Sequence, residues 1–276
     1  MAIRAVPVRL GSVRQSVGDL AAGFAEHGLF TFASAIAFRA LVALVPLVLL
    51  GLALLGVFGL TDVWTDTIAP ALRAHLTLPV FAGIDSTVQK IFTSNSAGLI
   101  ALATVLVVWD MTWAVNGVMQ ALNRIHEVEE RRSTMRRVAV AVALAVAVVA
   151  CLIASVLVQA LAPGLADGAL DVFLSIVRWP VAIFFLWVAL GLLFRYAPAE
   201  KPEVRWASGG SLLVIGTWIV ASVLFRFWVT DVASFKSATG SLTVFLALTS
   251  YIMVSTTIFL VGVEMDELAR KRNARS

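Results

Sequence analysis

Long, almost uninterrupted apolar segments dominate this chain. The first runs from Phe32 to Leu60, 29 residues that include one charged residue, Arg39, and one proline, Pro46. An α-helix rises about 1.5 Å per residue, so this segment is long enough to cross the roughly 30 Å hydrocarbon core of a bilayer with some tilt. We interpret it as the first of several membrane-spanning helices.

The same apolar pattern recurs and predicts six spans. Their approximate limits are 32–60, 97–122, 138–162, 171–196, 207–229 and 241–263. The start of the fourth span stays open, because a helix that begins near Asp171 would need to kink at Pro180. The predicted fold is therefore all-α and polytopic, with one transmembrane domain over residues 32–263.

Amphipathic or basic segments flank these spans. Residues 1–31 place apolar side chains at helical spacing among three arginines, which predicts an interfacial amphipathic helix on the cytoplasmic face. Residues 61–96 carry two apolar faces and are predicted to form two short interfacial helices on the outer side, broken near Pro79. Residues 264–276 form a basic cytoplasmic tail.

Lysines and arginines are distributed unevenly between the connecting segments. With a cytoplasmic N-terminus, segments 1–31, 123–137, 195–206 and 264–276 hold 3, 5, 3 and 4 of them, against four in the outer segments. Short cytoplasmic loops of membrane proteins carry an excess of these residues. We therefore predict that both termini are cytoplasmic.

The composition supports a membrane protein and limits its partners. Of 276 residues, 60% are hydrophobic and 14% are charged, whereas soluble domains average about 25% charged residues. The net charge of +4 is explained by basic cytoplasmic loops, so we expect no nucleic-acid partner. The single cysteine, Cys151, allows no intrachain disulfide.

Motifs of soluble enzymes are missing from the sequence. It has no Walker phosphate loop, no nucleophile elbow and no HExxH zinc motif. The three histidines, His27, His75 and His126, lie far apart in sequence and none has a neighbouring His or Cys at metal-ligand spacing. We expect no enzyme activity, no metal and no cofactor, although a catalytic site made of scattered membrane carboxylates stays open.

Polar residues inside the spans are the candidates for function, because each is costly in a membrane without a partner or a water-filled cavity. One polar stripe in the second span has spacings of four, four and three and consists of Thr112, Asn116, Gln120 and Asn123. It predicts a polar path between the first, second and sixth spans. We expect Arg39 to pair with Asp110 or Glu264 there, and Glu264 to be interfacial rather than buried. The candidate substrate-path residues are Arg39, Asp110, Thr112, Asn116, Gln120, Asn123, Thr257 and Glu264.

A structural interpretation of the same residues stays open. Serine and threonine stripes often form helix–helix contacts, and an arginine–carboxylate pair can serve packing alone. Pro46 is predicted to kink or break the first span near its middle.

Four segments of the chain carry motifs in a recognisable order. They are residues 33–50 (ASAIAFRALVALVPLVLL), 121–132 (ALNRIHEVEERR), 192–218 (LLFRYAPAEKPEVRWASGGSLLVIGTW) and 239–267 (TGSLTVFLALTSYIMVSTTIFLVGVEMDE). This set resembles the YihY/BrkB family of bacterial inner-membrane proteins over nearly the whole chain. Where that family commonly has a tyrosine, this chain has Arg39.

The resemblance implies a six-span helical fold in the bacterial cytoplasmic (inner) membrane. It also implies a link to envelope integrity and serum resistance, with transport of lipids or lipid-linked precursors as a suspected activity. Some family members carry the label ribonuclease BN, a tRNA-processing enzyme. We regard that label as a misassignment, because nuclease metal sites need clustered histidines and carboxylates.

Three functional hypotheses follow. The first is a permease-like or lipid-handling protein in which a basic Arg39 meets an anionic headgroup or solute. The second is a non-transporting envelope-integrity scaffold that binds envelope proteins through its outer helices and basic tail. The third is a membrane-bound tRNA-processing ribonuclease. Membrane lipids are expected partners in every case, and a homo-oligomer stays open.

Overall fold

The computed structural model describes residues 10–75, 78–93, 97–161, 169–200, 209–228 and 240–275. Within these ranges every regular element is helical, which confirms the predicted all-α class. The helices are α1 (Leu10–Glu26), α2 (Leu29–Val57), a π-helical segment (Val63–Ile68), α3 (Ala69–His75), α4 (Leu78–Thr93), α5 (Ala97–Ile125), α6 (Thr134–Leu161), α7 (Ala169–Tyr196), α8 (Gly209–Phe227) and α9 (Gly240–Arg275). The predicted turn around Lys236 and the arginines at positions 4 and 9 lie outside the described residues.

Five helical segments are long and apolar enough to cross a membrane. They are Leu29–Val57, Ala97–Ile125, Thr134–Gln159, Ile176–Tyr196 and Phe245–Arg272. In α8, at the place of the predicted fifth span, the apolar helix Val214–Phe227 is shorter. The chain is thus a multi-pass membrane protein by the length and composition of its helices.

Two glycines set the limits of α2. Gly28, with φ of +63°, separates α1 from α2, and Gly59, with φ of +68°, follows its last turn. This left-handed conformation suits glycine and ends helices by turning the chain away from the axis. Pro46 lies inside α2 without breaking it, so a kink at this proline stays a prediction.

α7 agrees with the earlier of the two predicted starts and α9 extends beyond the predicted sixth span. α7 begins at Ala169 and contains Pro180. α9 continues from Gly240 to Arg275, which makes the basic tail an extension of the last helix.

The centre of the bundle is the contact between α2 and α5. α6 packs on α5 and α7 on α6, while α9 packs on α2 and α8 on α9. α2 and α5 approach closely at Gly117, where an added Cβ would lie 3.0 Å from Ile36 Cγ1. The main core surrounds this crossing and includes Leu29, Met119, Leu122, Ile125 and Leu260.

The helix pairs named above run antiparallel, and five of these helices meet at one end. α2 and α6 begin at this end, and α5, α7 and α9 finish there. The contact of His27 with Glu264 joins the start of α2 to the end of α9, and that of His126 with Glu267 joins the ends of α5 and α9. The hydrogen bond from Arg132 to Ala197 joins the start of α6 to the end of α7. We call this region, formed by residues 26–29, 123–137, 195–200 and 264–272, the charged end.

A smaller helical layer follows α2. The Trp64 indole N–H donates a hydrogen bond of 2.8 Å to the Asp85 carboxylate, and Trp64, Ala69 and Val88 form a small core. The described part of this segment therefore contains short helices, α3 and α4, and their interfacial position on the outer side stays a prediction. α4 begins at Leu78, so Pro79 lies in its first turn, where proline is well tolerated.

Candidate functional site

Two histidine–glutamate pairs lie side by side at the charged end. His27 Nδ1 is 2.9 Å from Glu264 Oε2, and His126 Nδ1 is 2.9 Å from Glu267 Oε2. Both glutamates are 1% exposed. They are three residues apart on α9, which places them on the same face of the helix.

The local fold positions each partner. His27 follows α1 and precedes Gly28, while His126 follows the last residue of α5. Gly23 of α1 lies so close to Glu264 that an added Cβ would collide with the carboxylate oxygen Oε1. The absence of a side chain at this position lets α1 pack directly over Glu264.

Further charges surround the two pairs. Arg270 Nε donates a hydrogen bond of 2.9 Å to Glu267 Oε2, and Lys271 Nζ lies 2.7 Å from Glu127 Oε1. The hydrogen bond from Lys271 and its positive charge lower the pKa of Glu127. Glu127 Oε1 in turn lies 3.9 Å from His27 Nε2. A buried carboxylate is costly unless it is paired, and here each has a partner.

A pocket of about 590 Å³ opens beside these pairs. Its walls come from the end of α1, the start of α2, the last turns of α5 and the loop after α5. The lining residues are Glu26, His27, Phe32, Gln120, Asn123, Arg124, Glu127, Val128, Glu129 and Glu130. The pocket therefore joins one histidine–glutamate pair to two residues of the predicted polar stripe, Gln120 and Asn123.

The predicted stripe on α5 divides into two parts. Thr112 donates a hydrogen bond to the carbonyl of Val108 in its own helix, and Thr257 of α9 does the same to Met253. Asn116 accepts a hydrogen bond of 2.9 Å from Arg137 Nε. Only Gln120 and Asn123, nearest the charged end, line the pocket.

Asn123 connects three segments. Its side chain donates to Glu130 Oε2 at 3.0 Å and accepts from the backbone N–H of Ala199 at 2.7 Å. The end of α5, the loop after it and the segment after α7 are thereby held together.

The predicted pairing of Arg39 with Asp110 or Glu264 is wrong. The Arg39 guanidinium lies over the ring of Trp113 at 5.8 Å, on the exposed side of α2. Among the described residues neither Arg39 nor Asp110 has an ion pair. Arg39 lies ten residues into α2, about 15 Å along the axis from the charged end, too far to reach Glu264.

The expectation that Glu264 is interfacial rather than buried is also wrong. It is buried because α1 covers it and His27 provides its hydrogen bond.

Sequence reasoning missed His27, His126 and Glu267. A signal was present: Glu264 and Glu267 lie one helical turn apart at the end of an apolar helix, and both histidines lie at the ends of predicted helices on the same side. Imidazoles exchange protons in the physiological pH range, so paired with carboxylates they can hold or pass a proton.

Among the described residues no group of three or more histidines, cysteines and carboxylates is placed to hold a metal ion.

Comparison with known proteins fits this architecture. A family model described as "Virulence factor BrkB" matches residues 20–276. The chain belongs to the BrkB family. The match includes the last turns of α1, all of α2 to α9 and both histidine–glutamate pairs of this BrkB-family chain.

One curated relative is the "Putative ribonuclease-like protein YfkH" of Bacillus subtilis (strain 168). It is 23% identical over 217 residues, which cover 75% of this chain and 79% of that protein. No solved structure matches this BrkB-family chain.

Proposed function

We propose that this BrkB-family protein crosses the bacterial cytoplasmic (inner) membrane six times, with both termini in the cytoplasm. The helix directions support an even number of crossings. α7 and α9 both end at the charged end, so the chain must leave it and return between them. α8 runs antiparallel to α9, as Trp218 bonds to Ser255 and Ser222 to Tyr251, and it supplies the missing crossing.

We propose further that the protein transports or handles a lipid or a small anionic solute through a polar cavity. The observation that carries this proposal is the pocket of about 590 Å³ at the charged end. It combines side chains that can bind a polar group, such as Gln120 and Asn123, with His27, whose imidazole contacts the buried Glu264 behind the pocket wall. Intramembrane and membrane-edge groups of this kind line substrate and proton pathways in transporters.

The lining favours a lipid over a free anion. Glu26, Glu127 and Glu129 face the pocket and would repel a free anion. A lipid can leave its acyl chains on the apolar outer surface of the bundle and present only its headgroup to the pocket. Membrane lipids are accordingly the proposed partners, and we propose no nucleic-acid partner.

Reconstitution into liposomes tests this function. Purified protein is inserted into vesicles with a panel of labelled lipids and small anions, and their movement across the bilayer is measured. Gln120→Trp narrows the pocket from an exposed position and should slow transport severalfold. Arg39→Ala and Asp110→Asn test whether the path extends along α2 and α5. Rates that match empty vesicles for every compound would refute transport of that panel.

A non-transporting envelope-integrity scaffold is the second candidate. The packed layer of the π-helical segment, α3 and α4, held by the hydrogen bond between Trp64 and Asp85, favours it. This layer would offer a folded surface to an envelope protein or to a second copy. Under this alternative, a substitution that removes the hydrogen bond between Trp64 and Asp85 would weaken the cell envelope. Transport by the reconstituted protein would be no faster than in empty vesicles.

A ribonuclease role is the third candidate and rests on the name of the Bacillus subtilis relative. We propose instead that this chain is not an enzyme. Purified protein incubated with tRNA and Mg²⁺ or Mn²⁺ tests this. Metal-dependent cleavage that is lost on changing one carboxylate would establish the ribonuclease.

A further inference from the structure

A second pocket at the charged end has the opposite electrostatic character. It has a volume of about 360 Å³, within the range of small-ligand sites, and lies between the start of α6 and the end of α7. It is lined by Arg131, Arg132, Arg136 and Arg195 together with Glu129, Val140, Tyr196, Pro198, Ala199 and Glu200. The lining has four arginines and two glutamates, and because Arg132 is paired with Glu130 outside the lining, one positive charge is in excess.

The wall of this pocket is fixed by hydrogen bonds. Arg132 is half-buried, donates from Nη2 to the carbonyl of Ala197 at 2.9 Å, and has Nε 3.2 Å from Glu130 Oε1. Asn123 accepts from the N–H of Ala199 at 2.7 Å. These bonds hold the segment after α7 against the loop before α6 and against the end of α5, and so form one wall of the pocket.

The remaining arginines are available to a ligand. Within the described ranges the guanidinium groups of Arg131 and Arg136 have no hydrogen bond or ion pair, and Arg195 contacts only the ring of Tyr196, at 5.7 Å. A guanidinium presents a planar fork of donors that matches the oxygens of a phosphate. Such a set of donors on opposite walls can bind one phosphate from two sides.

The pocket lies where the polar surface changes to an apolar one. Arg136 and Val140 are one helical turn apart on α6, and both line the pocket. On the same helix Met135 is 84% exposed and Val138 is 51% exposed. Apolar side chains exposed this close to the arginines match the depth of lipid headgroups, where phosphates meet acyl chains.

We propose that this basic pocket, formed by Arg131, Arg136, Arg195 and Tyr196, binds the phosphate group of an anionic membrane lipid. This inference goes beyond the proposed function, because a lipid held here can anchor or regulate the protein without being transported. The two pockets differ in lining, since arginines outnumber glutamates in the basic pocket, whereas four glutamates and one arginine line the acidic pocket.

Binding of a fluorescent phosphatidylglycerol to the full-length protein in uncharged detergent micelles tests the proposal. Competition with unlabelled phosphatidylglycerol, phosphatidylcholine, glycerol phosphate and inorganic phosphate distinguishes the sources of the phosphate. We expect phosphatidylglycerol to compete best. Equal competition by inorganic phosphate at the same pocket would keep the phosphate site and assign it to a soluble anion.

Charge-matched variants locate the site. Arg131→Gln with Arg136→Gln should weaken binding about tenfold or more, since each guanidinium contributes charge-assisted hydrogen bonds. Arg73→Gln with Lys90→Gln removes the same charge from α3 and α4, which line neither pocket. This control should bind as the wild type does.

A conservative variant and a folding check complete the test. Arg136→Lys keeps the charge but loses the fork of donors, so it should show an intermediate loss. Circular dichroism confirms that each variant is folded. If the pocket variants and the control lose affinity equally, or none loses affinity, the proposed site is refuted. Liposome transport is a separate measurement, so failure of one proposal leaves the other to be judged on its own.

Discussion

At the scale of single residues, the charged end depends on burying two carboxylates next to two histidines. Glu264 and Glu267 have almost no exposed surface, and each contacts a histidine on another segment, His27 and His126 respectively. Removing one member of a buried pair leaves the other charge or dipole without compensation. The stability of this region should therefore depend on the pairs and not on either residue alone.

The first prediction concerns the pair of His27 and Glu264. His27→Ala leaves Glu264 buried without its partner and should destabilise the protein by about 3–5 kcal/mol. The double variant His27→Ala with Glu264→Ala should cost clearly less than the sum of the single variants, because they share one interaction. Thermal unfolding in detergent measures all three. Glu129→Gln, at an exposed position, is the neutral control, and additive losses would show that the pair is not coupled.

The second prediction compares two glycines of α1. At Gly23 an added Cβ collides with Glu264, whereas at Gly18 it meets nothing within 4 Å. Gly18→Ala should stabilise the helix by about 0.5–1 kcal/mol, as expected for glycine in a helix interior. Gly23→Ala should destabilise the protein because Glu264 must move from its hydrogen bond with His27. The sign of the two changes in melting temperature is the measurement, and the same sign at both sites would contradict the packing of α1 over Glu264.

At the scale of elements, the close approach of α2 and α5 sets the bundle. Gly117→Ala puts a methyl group 3.0 Å from Ile36 Cγ1 and should cost about 1–3 kcal/mol by overpacking. Ile36→Ala removes that atom but empties part of the core, and should itself cost about 2–5 kcal/mol. The double variant should therefore be less destabilised than the sum of the two single variants. Gly98→Ala, on the same helix, has nothing within 4 Å of the added Cβ and serves as the control. Additive losses in the double variant would mean that the contact with Ile36 is not the cause.

The elements themselves were largely predictable from the sequence, because an apolar run of bilayer length has few alternatives to a helix. Long-range contacts were less accessible. The spacing predicts the polar stripe on α5, yet only Gln120 and Asn123 line a described pocket, since position along the helix axis decides which members meet another segment. A charge inside a span needs a partner, which predicts an ion pair for Arg39, but Arg39 lies on the exposed face against Trp113. The burial of Glu264 depends on α1 folding over it, and no local pattern reports such a contact.

At the scale of the whole molecule, the two ends of the bundle differ in character. One end gathers histidine–glutamate pairs, an acidic pocket and a basic pocket. The other continues into the layer formed by the π-helical segment, α3 and α4. If the excess of lysine and arginine sets the orientation, the charged end faces the cytoplasm and the layer faces outward. Both pockets would then draw on lipid or solute from the cytoplasmic side.

Single-cysteine labelling in intact cells tests this orientation. The chain has one cysteine, so Cys151→Ala gives a cysteine-free background in which one position at a time is replaced. Arg124→Cys reports the charged end and Gln89→Cys reports α4; both positions are exposed. A maleimide that cannot cross the inner membrane should label the cysteine at position 89 in intact cells. The cysteine at position 124 should be labelled only after the membrane is opened, because the cytoplasm shields the charged end. The reverse labelling pattern would show that the charged end faces outward. Both pockets would then face the outer leaflet of the membrane.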